Sequence, residues 1–174
     1  MSHFVSHDQR KVAKVLPNML SGIRIVFAGV ILWLLLIGVF DISLYLFILA
    51  ALTDLLDGAL ARKLGTDSKT GSYIDASVDF VLVFVTSLGL VIIEVFPPWL
   101  LILEGSMFGQ FLLTSREKNL VYDPIGKHYG TILMVAIAVT LWIPNNFMIP
   151  IIPRIIVGFT IVCISCRIIT HKKI

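Results

Sequence analysis

Charged residues are scarce in this chain. Asp, Glu, Lys and Arg together make up 14% of its 174 residues, whereas they make up about 25% of an average soluble domain. Hydrophobic residues account for 57% of the chain, and the mean hydropathy is +0.96. A soluble domain is therefore not expected, and the composition predicts an integral membrane protein.

Features of several other protein classes are also missing. The sequence has no low-complexity tract, no internal repeat and no patch that combines basic with aromatic residues, so we do not expect it to bind nucleic acid. Its two cysteines, Cys163 and Cys166, have the CxxC spacing of a redox pair. Because both lie in an apolar helix, we favour the interpretation that they are small packing residues.

The apolar residues form six runs, each close to the length of about 17 to 25 residues that crosses a bilayer as a helix. They predict an all-α membrane protein with six transmembrane helices in a single domain, residues 1–174. The runs cover residues 19–40, 43–60, 73–96, 99–113, 131–147 and 149–169. Residues 1–16 are too polar for a signal peptide, and they are predicted to form an amphipathic juxtamembrane helix on the membrane surface.

The basic residues indicate how the helices are oriented. Lys and Arg collect in cytoplasmic segments, and with the N-terminus inside, all but one of the fourteen basic residues lie at the cytoplasmic face. The exception is Arg154. This distribution predicts that both termini are cytoplasmic and that the inner face attracts membrane lipids and other molecules with anionic headgroups.

Four aspartates lie where the second predicted helix ends and the third begins. Asp54 and Asp57 are three residues apart and Asp75 and Asp79 are four apart, so each pair lies on one helical face. A short loop, predicted over residues 63–70, folds the two faces together. Two carboxylates about 4 Å apart repel by roughly 4 kcal/mol at an effective dielectric of about 20. We therefore expect Mg²⁺ or Mn²⁺ between them, two ions in all.

Small residues and an arginine accompany the aspartates. Gly58, Ala61 and Gly71 leave room for a ligand near the backbone, and Arg62 adds a cation beside a phosphate. Small residues also permit close helix packing. Packing alone does not account for four carboxylates within a membrane, where they are costly and usually functional. The group predicts a metal-dependent site for a lipid diphosphate.

These residues resemble the signature of the CDP-alcohol phosphotransferase family, DxxDGxxAR followed after eight residues by GxxxDxxxD. The sequence reads DLLDGALAR from Asp54 to Arg62 and continues with Gly71, Asp75 and Asp79, so every fixed position and both gaps match. The signature itself spans 26 residues, from 54 to 79. The six-helix layout extends the resemblance over nearly the whole chain.

A second segment supports the same resemblance. Residues 17–24 read PNMLSGIR, which is similar to the PNxLTxxR segment at the start of the family's first helix, with serine in place of threonine. The serine keeps the hydroxyl group. Asn18 and Ser21 also suit helix caps, so this segment has a structural interpretation beside the functional one.

The resemblance implies an enzyme that transfers the lipid phosphate group of a CDP-linked lipid to an alcohol and releases CMP. The donor is CDP-diacylglycerol or its archaeal equivalent, and the reaction belongs to phospholipid synthesis in the cell membrane of a prokaryote. The resemblance also implies a homodimer in which the four aspartates bind two metal ions and Asp79 is the general base. The residues that it places around the CDP-lipid are Asp57, Gly58, Ala61, Arg62, Gly71 and Asn18.

The acceptor alcohol is less sharply defined. Arg116, Lys118 and Lys127 lie at the cytoplasmic level of the aspartates and suit an anionic headgroup, although basic residues there also serve as membrane anchors. A GK pair ending at Lys127 resembles the GKxKT segment of phosphatidylglycerophosphate synthases, but Phe80 stands where those enzymes often carry lysine. Glycerol 3-phosphate is our first choice, with inositol phosphate, inositol and serine as alternatives.

Two other functions share parts of this pattern. Prenyltransferases of the UbiA type also use aspartate-rich motifs and Mg²⁺ to bind lipid diphosphates, but six spans and the interleaved small residues argue against them. A divalent-cation transporter also places carboxylates within a membrane. Here the carboxylates lie at one level, and the discontinuous helix pairs of many transporters are missing.

Three charged residues lie outside the signature. Glu104 falls inside the fourth predicted helix, where a charge costs about 2.5 to 3.5 kcal/mol on insertion scales. We expect it to be protonated, paired or placed at a subunit contact. Glu94 and Arg154 both fall near the outer face, where they are expected to pair with each other.

Overall fold

In the part of the chain that it describes, the computed structural model is a bundle of six α-helices. It describes the backbone of residues 7–64, 69–116, 126–143 and 151–171, and the side chains of residues 22–53, 76–110, 112, 129–143 and 151–162. No strand occurs in these ranges, so the all-α prediction is confirmed. The helices are α1 His7–Leu36, α2 Phe40–Leu64, α3 Lys69–Ile92, α4 Trp99–Arg116, α5 Gly126–Trp142 and α6 Ile151–His171.

Several helices extend further into polar sequence than the apolar runs predict. α1 begins at His7, so residues 7–16, expected as a separate surface helix, are continuous with the first helix. Both ends of the predicted 63–70 loop are helical, because α2 runs to Leu64 and α3 begins at Lys69. Hydropathy detects only the apolar part of a helix, whereas its backbone hydrogen bonds continue through polar residues.

In the part of the chain that the structure describes, no helix is both long enough and apolar enough to span a bilayer. The six transmembrane spans expected from the sequence stay a prediction.

The core of the bundle is built on α1, α3 and α5. α1 packs on α2 and most extensively on α3, α3 also contacts α4 and α5, and α5 contacts α2 and α6. α1 and α3 run parallel, because Leu35 meets Gly89 near their C-terminal ends and Arg24 meets Asp79 about three turns earlier in both helices. At the first contact the helices are close: a Cβ added to Gly89 would lie 2.8 Å from Cδ1 of Leu35. The core side chains include Ile31, Phe47, Leu82, Leu90, Leu100, Ile137 and Ile156.

Two helices end in the same left-handed cap. After α1, Gly38 adopts a φ of 78° and donates its N–H to the carbonyl of Leu35, while Val39 donates to Leu34. After α3, Glu94 adopts a φ of 60° and donates to Val91, while Val95 donates to Leu90. Both pairs of bonds form a Schellman motif, which satisfies carbonyls at the end of a helix. Glycine adopts this backbone conformation without strain, whereas glutamate does not.

Candidate active site

The signature residues lie at the facing ends of two consecutive helices. The last three turns of α2 carry Asp54, Asp57 and Arg62, and the first three turns of α3 carry Asp75 and Asp79. Gly58 and Ala61 lie on the same part of α2, and Gly71 lies on α3. Five peptide units join Leu64 to Lys69, and they span at most about 18 Å. The chain itself therefore keeps the end of α2 close to the start of α3.

Asp79 is the signature residue whose side chain the structure describes. It lies on α3 and is 22% exposed, and its Oδ1 accepts a hydrogen bond from Nη1 of Arg24 at 2.9 Å. The side chains of Asp54, Asp57 and Asp75 lie outside the described residues, as do those of the predicted nucleotide pocket, Asn18 included. Metal binding and nucleotide binding by these residues stay predictions.

The donor chemistry of the four aspartates fits a hard divalent cation. Carboxylate oxygens are the ligands that Mg²⁺ and Mn²⁺ prefer, particularly where substrate phosphates complete the coordination. Among the side chains described, no three of His, Cys, Asp or Glu come together, because Asp79 alone represents the signature there. The fit to a metal therefore rests on the identity and spacing of the ligands.

Arg24 is the functional candidate that sequence reasoning missed. It lies on α1, 55 residues before Asp79, and its side chain is only 2% exposed. Its charge and its place in the sequence predict only that it is one of the basic residues of the cytoplasmic face. A signal was present, because Arg24 is the last residue of the segment at 17–24 that resembles PNxLTxxR. The partner was not predictable, because nothing in the sequence gives the rotation of α1 relative to α3.

Phe80, the residue after Asp79, packs against α4. Its ring stacks on that of Phe108 with centroids 3.9 Å apart and planes 3° apart, and it also lies 5.4 Å from the ring of Phe84. The position where phosphatidylglycerophosphate synthases often carry lysine is therefore an aromatic contact in this chain. It supplies no charge to an acceptor phosphate.

The structure describes the backbone of only two of the three expected acceptor residues. Arg116 is the last residue of α4 and Lys127 is the second residue of α5, while Lys118 lies outside the described residues. The side chains of all three lie outside them as well, so acceptor binding stays a prediction. Close to Lys127, Tyr129 is buried against α6, where its hydroxyl oxygen lies 3.2 Å from Oγ1 of Thr160 and its ring stacks on Phe159.

Glu104 is buried and hydrogen-bonded to a neutral side chain of α3. Its side chain is 1% exposed, and its Oε1 accepts a hydrogen bond from Oγ of Ser87 at 2.9 Å. Its Oε2 is buried and has no hydrogen-bond partner among the residues described. This contact joins α4 to α3 within the bundle.

Glu94 and Arg154 do not pair as expected. Both are exposed and line one open cavity with Trp99, at the end of α3 opposite Asp79. No ion pair joins them in the described part of the structure. Their exposure gives a physical reason, because an ion pair in contact with solvent gains little against the entropy of fixing two long side chains. A second open cavity, between Asp41 on α2 and Trp142 on α5, also lies away from Asp79.

Comparison with known proteins identifies the family to which this chain belongs. The model of the family described as CDP-alcohol phosphatidyltransferase matches residues 14–167. That range includes the whole signature and the segment that contains Arg24.

Curated relatives of two kinds are similar to the chain. A human cardiolipin synthase (CMP-forming) is 40% identical over 118 residues, which cover 67% of this chain and 36% of the relative. A CDP-diacylglycerol–glycerol-3-phosphate 3-phosphatidyltransferase of Salmonella choleraesuis is 28% identical over 143 residues, which cover 75% of this chain and 78% of the relative. A probable cardiolipin synthase (CMP-forming) of Drosophila melanogaster is 33% identical over 95 residues, or 54% of this chain. The chain spans about a third of the length of these cardiolipin synthases.

Proposed function

Because the chain belongs to the CDP-alcohol phosphatidyltransferase family, we propose that it transfers a phosphatidyl group from CDP-diacylglycerol to an alcohol and releases CMP. The observation that carries this proposal is the complete signature on α2 and α3, within the range that the family model matches. Family membership also favours transfer over the prenyltransferase and cation-transporter alternatives.

The four signature aspartates would hold two divalent cations beside the diphosphate of the donor. When bound, such ions neutralise the phosphate charge and the charge that develops on the leaving CMP. Gly58, Ala61 and Gly71 leave space for the cytidine diphosphate, and Arg62 adds a positive charge to it. Asp57 and Asn18 complete this proposed pocket.

Asp79 is the residue to which we assign proton removal. A general base must reach the hydroxyl proton of the acceptor, and it must remain accessible to do so. Asp79 is 22% exposed, and Arg24 binds its Oδ1 from the buried side. This arrangement supports a carboxylate that is held in place from within the bundle and meets the acceptor from outside it.

Membrane location is part of the proposal. The described helices present large apolar side chains outward, such as Trp33, Tyr45 and Ile102, and several polar ones inward, such as Ser43, Thr86 and Thr160. Large apolar side chains on the outside of a bundle indicate contact with lipid, and small hydroxyl side chains are common between packed helices in membranes. We propose six membrane-embedded helices with the aspartates at the cytoplasmic face, in a homodimer as the family resemblance implies.

Glycerol 3-phosphate is the acceptor that we propose first. The relative from Salmonella choleraesuis has this molecule in its name and is matched over 78% of its own length. A phosphorylated acceptor also suits the basic cytoplasmic face, to which Arg116, Lys118 and Lys127 contribute. The aromatic contact of Phe80 means that the phosphate would be bound without a cation from that position.

A second candidate is the formation of cardiolipin, which the 40% identity to the human synthase favours. Cardiolipin carries two phosphatidyl groups on one glycerol. Its formation from CDP-diacylglycerol with release of CMP therefore requires phosphatidylglycerol as the acceptor. This acceptor differs from glycerol 3-phosphate in having lipid tails of its own.

An acceptor panel separates the two candidates. Purified protein is given CDP-diacylglycerol and Mg²⁺ or Mn²⁺ with one acceptor at a time: glycerol 3-phosphate, phosphatidylglycerol, inositol phosphate, inositol or serine. We expect CMP with glycerol 3-phosphate, together with phosphatidylglycerophosphate as the lipid product. CMP with phosphatidylglycerol alone would establish the second candidate and exclude the first.

A further inference from the structure

Arg24 is buried in the middle of α1, whereas arginine is almost never fully buried unless it is paired. It is 2% exposed, whereas its neighbours Ile23 and Ile25 are both exposed. α1 is therefore rotated so that the guanidinium points into the bundle. An ordinary anchoring arginine at a membrane surface would keep its charged end outside.

A buried guanidinium requires a compensating charge. Removing one ion from water costs several kcal/mol even after the protein relaxes, and only a close and well-directed partner offsets that cost. Asp79 supplies such a partner, because Nη1 of Arg24 lies 2.9 Å from its Oδ1. A hydrogen bond between two charged groups is roughly twice as strong as a neutral one.

The contact does more than hold α1 against α3. The two helices already share buried apolar contacts, with Ile31 and Leu35 on α1 and Leu82 on α3 in one core cluster. They also meet closely at Gly89. What the ion pair adds is the direction of the Asp79 carboxylate, since a bond to Oδ1 restricts how the side chain can rotate.

We propose that Arg24 is a positioning residue for Asp79. It binds Oδ1 from the core and so fixes the orientation in which the carboxylate meets the acceptor hydroxyl and the divalent cation. This inference rests on the proposed function, in which Asp79 is the general base. It assigns a role to a residue of the first helix, outside the signature on α2 and α3.

Steady-state kinetics test this role with Arg24→Met and Arg24→Lys. Misplacement of a reacting group by about 1 Å can cost about 100-fold in rate, and loss of a group that orients a metal ligand typically costs about 10- to 100-fold. We expect Arg24→Met to lower kcat by that factor while KM for CDP-diacylglycerol changes less than about threefold. Arg24→Lys, which keeps the charge, should recover part of kcat.

Arg154→Met is the matched control. It removes an exposed arginine from the opposite end of the bundle, and we expect wild-type kcat and KM. Arg24→Met with kcat within twofold of wild type, or a loss of kcat that Arg24→Lys does not relieve at all, would overturn the positioning role.

A measurement of thermal unfolding with Mn²⁺ alone tests the role of Arg24 without relying on enzyme turnover. The unfolding temperature is followed against Mn²⁺ concentration in four proteins: wild type, Arg24→Met, Asp79→Ala and the double variant. In the protein with Asp79, we expect Arg24→Met to change several-fold the Mn²⁺ concentration that gives half of the maximal shift in unfolding temperature. In the protein with Asp79→Ala, the same substitution should change that concentration less than twofold, because coupled residues are not additive. Equal changes in both backgrounds would show that Arg24 acts on the fold in general and would overturn the proposal.

The two proposals fail in different ways. Wild-type protein that releases no CMP with any acceptor would refute the proposed function, and the Mn²⁺ experiment would still decide whether Arg24 acts through Asp79. Normal CMP release with no coupling between the two residues would refute the role of Arg24 alone.

Discussion

Asp79 has three properties that suit the proposed role of general base. It closes the signature, at the fixed spacing of four residues from Asp75. It remains partly exposed, which leaves it accessible to a substrate. It is also bound to a buried arginine from another helix, so its direction does not depend on α3 alone. No other signature side chain is described, and Asp79 is therefore the residue at which structure and sequence can be compared.

Asp79→Asn should abolish CMP release and preserve donor binding. The amide keeps the shape of the carboxylate but cannot accept the acceptor proton, and a general base contributes about 10²- to 10⁴-fold in rate. CMP release and CDP-diacylglycerol binding are to be measured on the same preparation. Asp41→Asn, an exposed aspartate at the other end of α2, is the matched control and should behave like wild type. Near-normal turnover of Asp79→Asn would show that the base has been wrongly assigned.

The contact between α3 and α4 depends on both helices and not on one residue alone. Its polar part is the bond from Ser87 to Glu104, which leaves the second carboxyl oxygen of Glu104 buried without a hydrogen-bond partner among the residues described. A buried polar group costs most when its remaining partner is removed. The two partners should therefore respond differently to substitution.

Ser87→Ala should be the more harmful of two substitutions at this contact. It removes the hydrogen bond and leaves the carboxyl group in place, at a cost of about 1 to 3 kcal/mol. Glu104→Leu removes the buried carboxyl group itself and leaves only the hydroxyl of Ser87, which can bond to a carbonyl of its own helix instead, so its cost should be smaller. Thermal unfolding of the purified variants measures both. A larger loss of stability for Glu104→Leu than for Ser87→Ala would mean that the carboxyl group has another stabilising role.

The two left-handed caps offer a matched pair of substitutions. Glu94→Gly should stabilise the end of α3, because glutamate in this conformation is strained by about 1 to 2 kcal/mol, whereas glycine is not. Gly38→Ala introduces the same strain after α1 and should destabilise the protein by a similar amount. Unfolding temperatures that move in opposite directions are expected. A decrease for Glu94→Gly would show that the glutamate side chain makes a contribution larger than the strain.

Helix number was predictable from the sequence, but helix ends were less so. Six apolar runs correspond to six helices, since apolar length alone identifies each one. The continuity of α1 from His7 was not predicted, because the charged residues among 7–16 suggested a separate surface helix. The left-handed cap at Gly38 has a sequence signal in the glycine. The cap at Glu94 has none.

At the scale of the whole molecule, the distribution of polar and apolar side chains supports a lipid environment. Arg24, Ser87, Glu104 and Thr140 are buried, while Trp33 and Trp142 are 60% and 69% exposed. In a water-soluble bundle, buried charged residues and strongly exposed tryptophans are both uncommon. The protein should therefore remain with the membrane pellet after an alkaline carbonate wash and enter solution only with detergent. Release by carbonate alone would contradict the proposed membrane embedding.

The pairing of distant residues is what the sequence did not predict. The signature gave the aspartates and their spacing, because those positions are local to two helices. Arg24 with Asp79 and Ser87 with Glu104 are contacts between helices, and they depend on how each helix is rotated about its own axis. Hydrophobic patterning fixes that rotation poorly when a helix is apolar nearly all round.

CMP release is the measurement that tests the proposed function most directly. Purified protein with CDP-diacylglycerol and glycerol 3-phosphate should release CMP and form phosphatidylglycerophosphate in equal amounts. EDTA should stop the reaction, and Mg²⁺ or Mn²⁺ added in excess should restore it, since the proposed site has four carboxylates and needs cations between them. CMP release that continues at the same rate in EDTA, or no CMP with any acceptor of the panel, would contradict a metal-dependent phosphatidyl transfer by this protein.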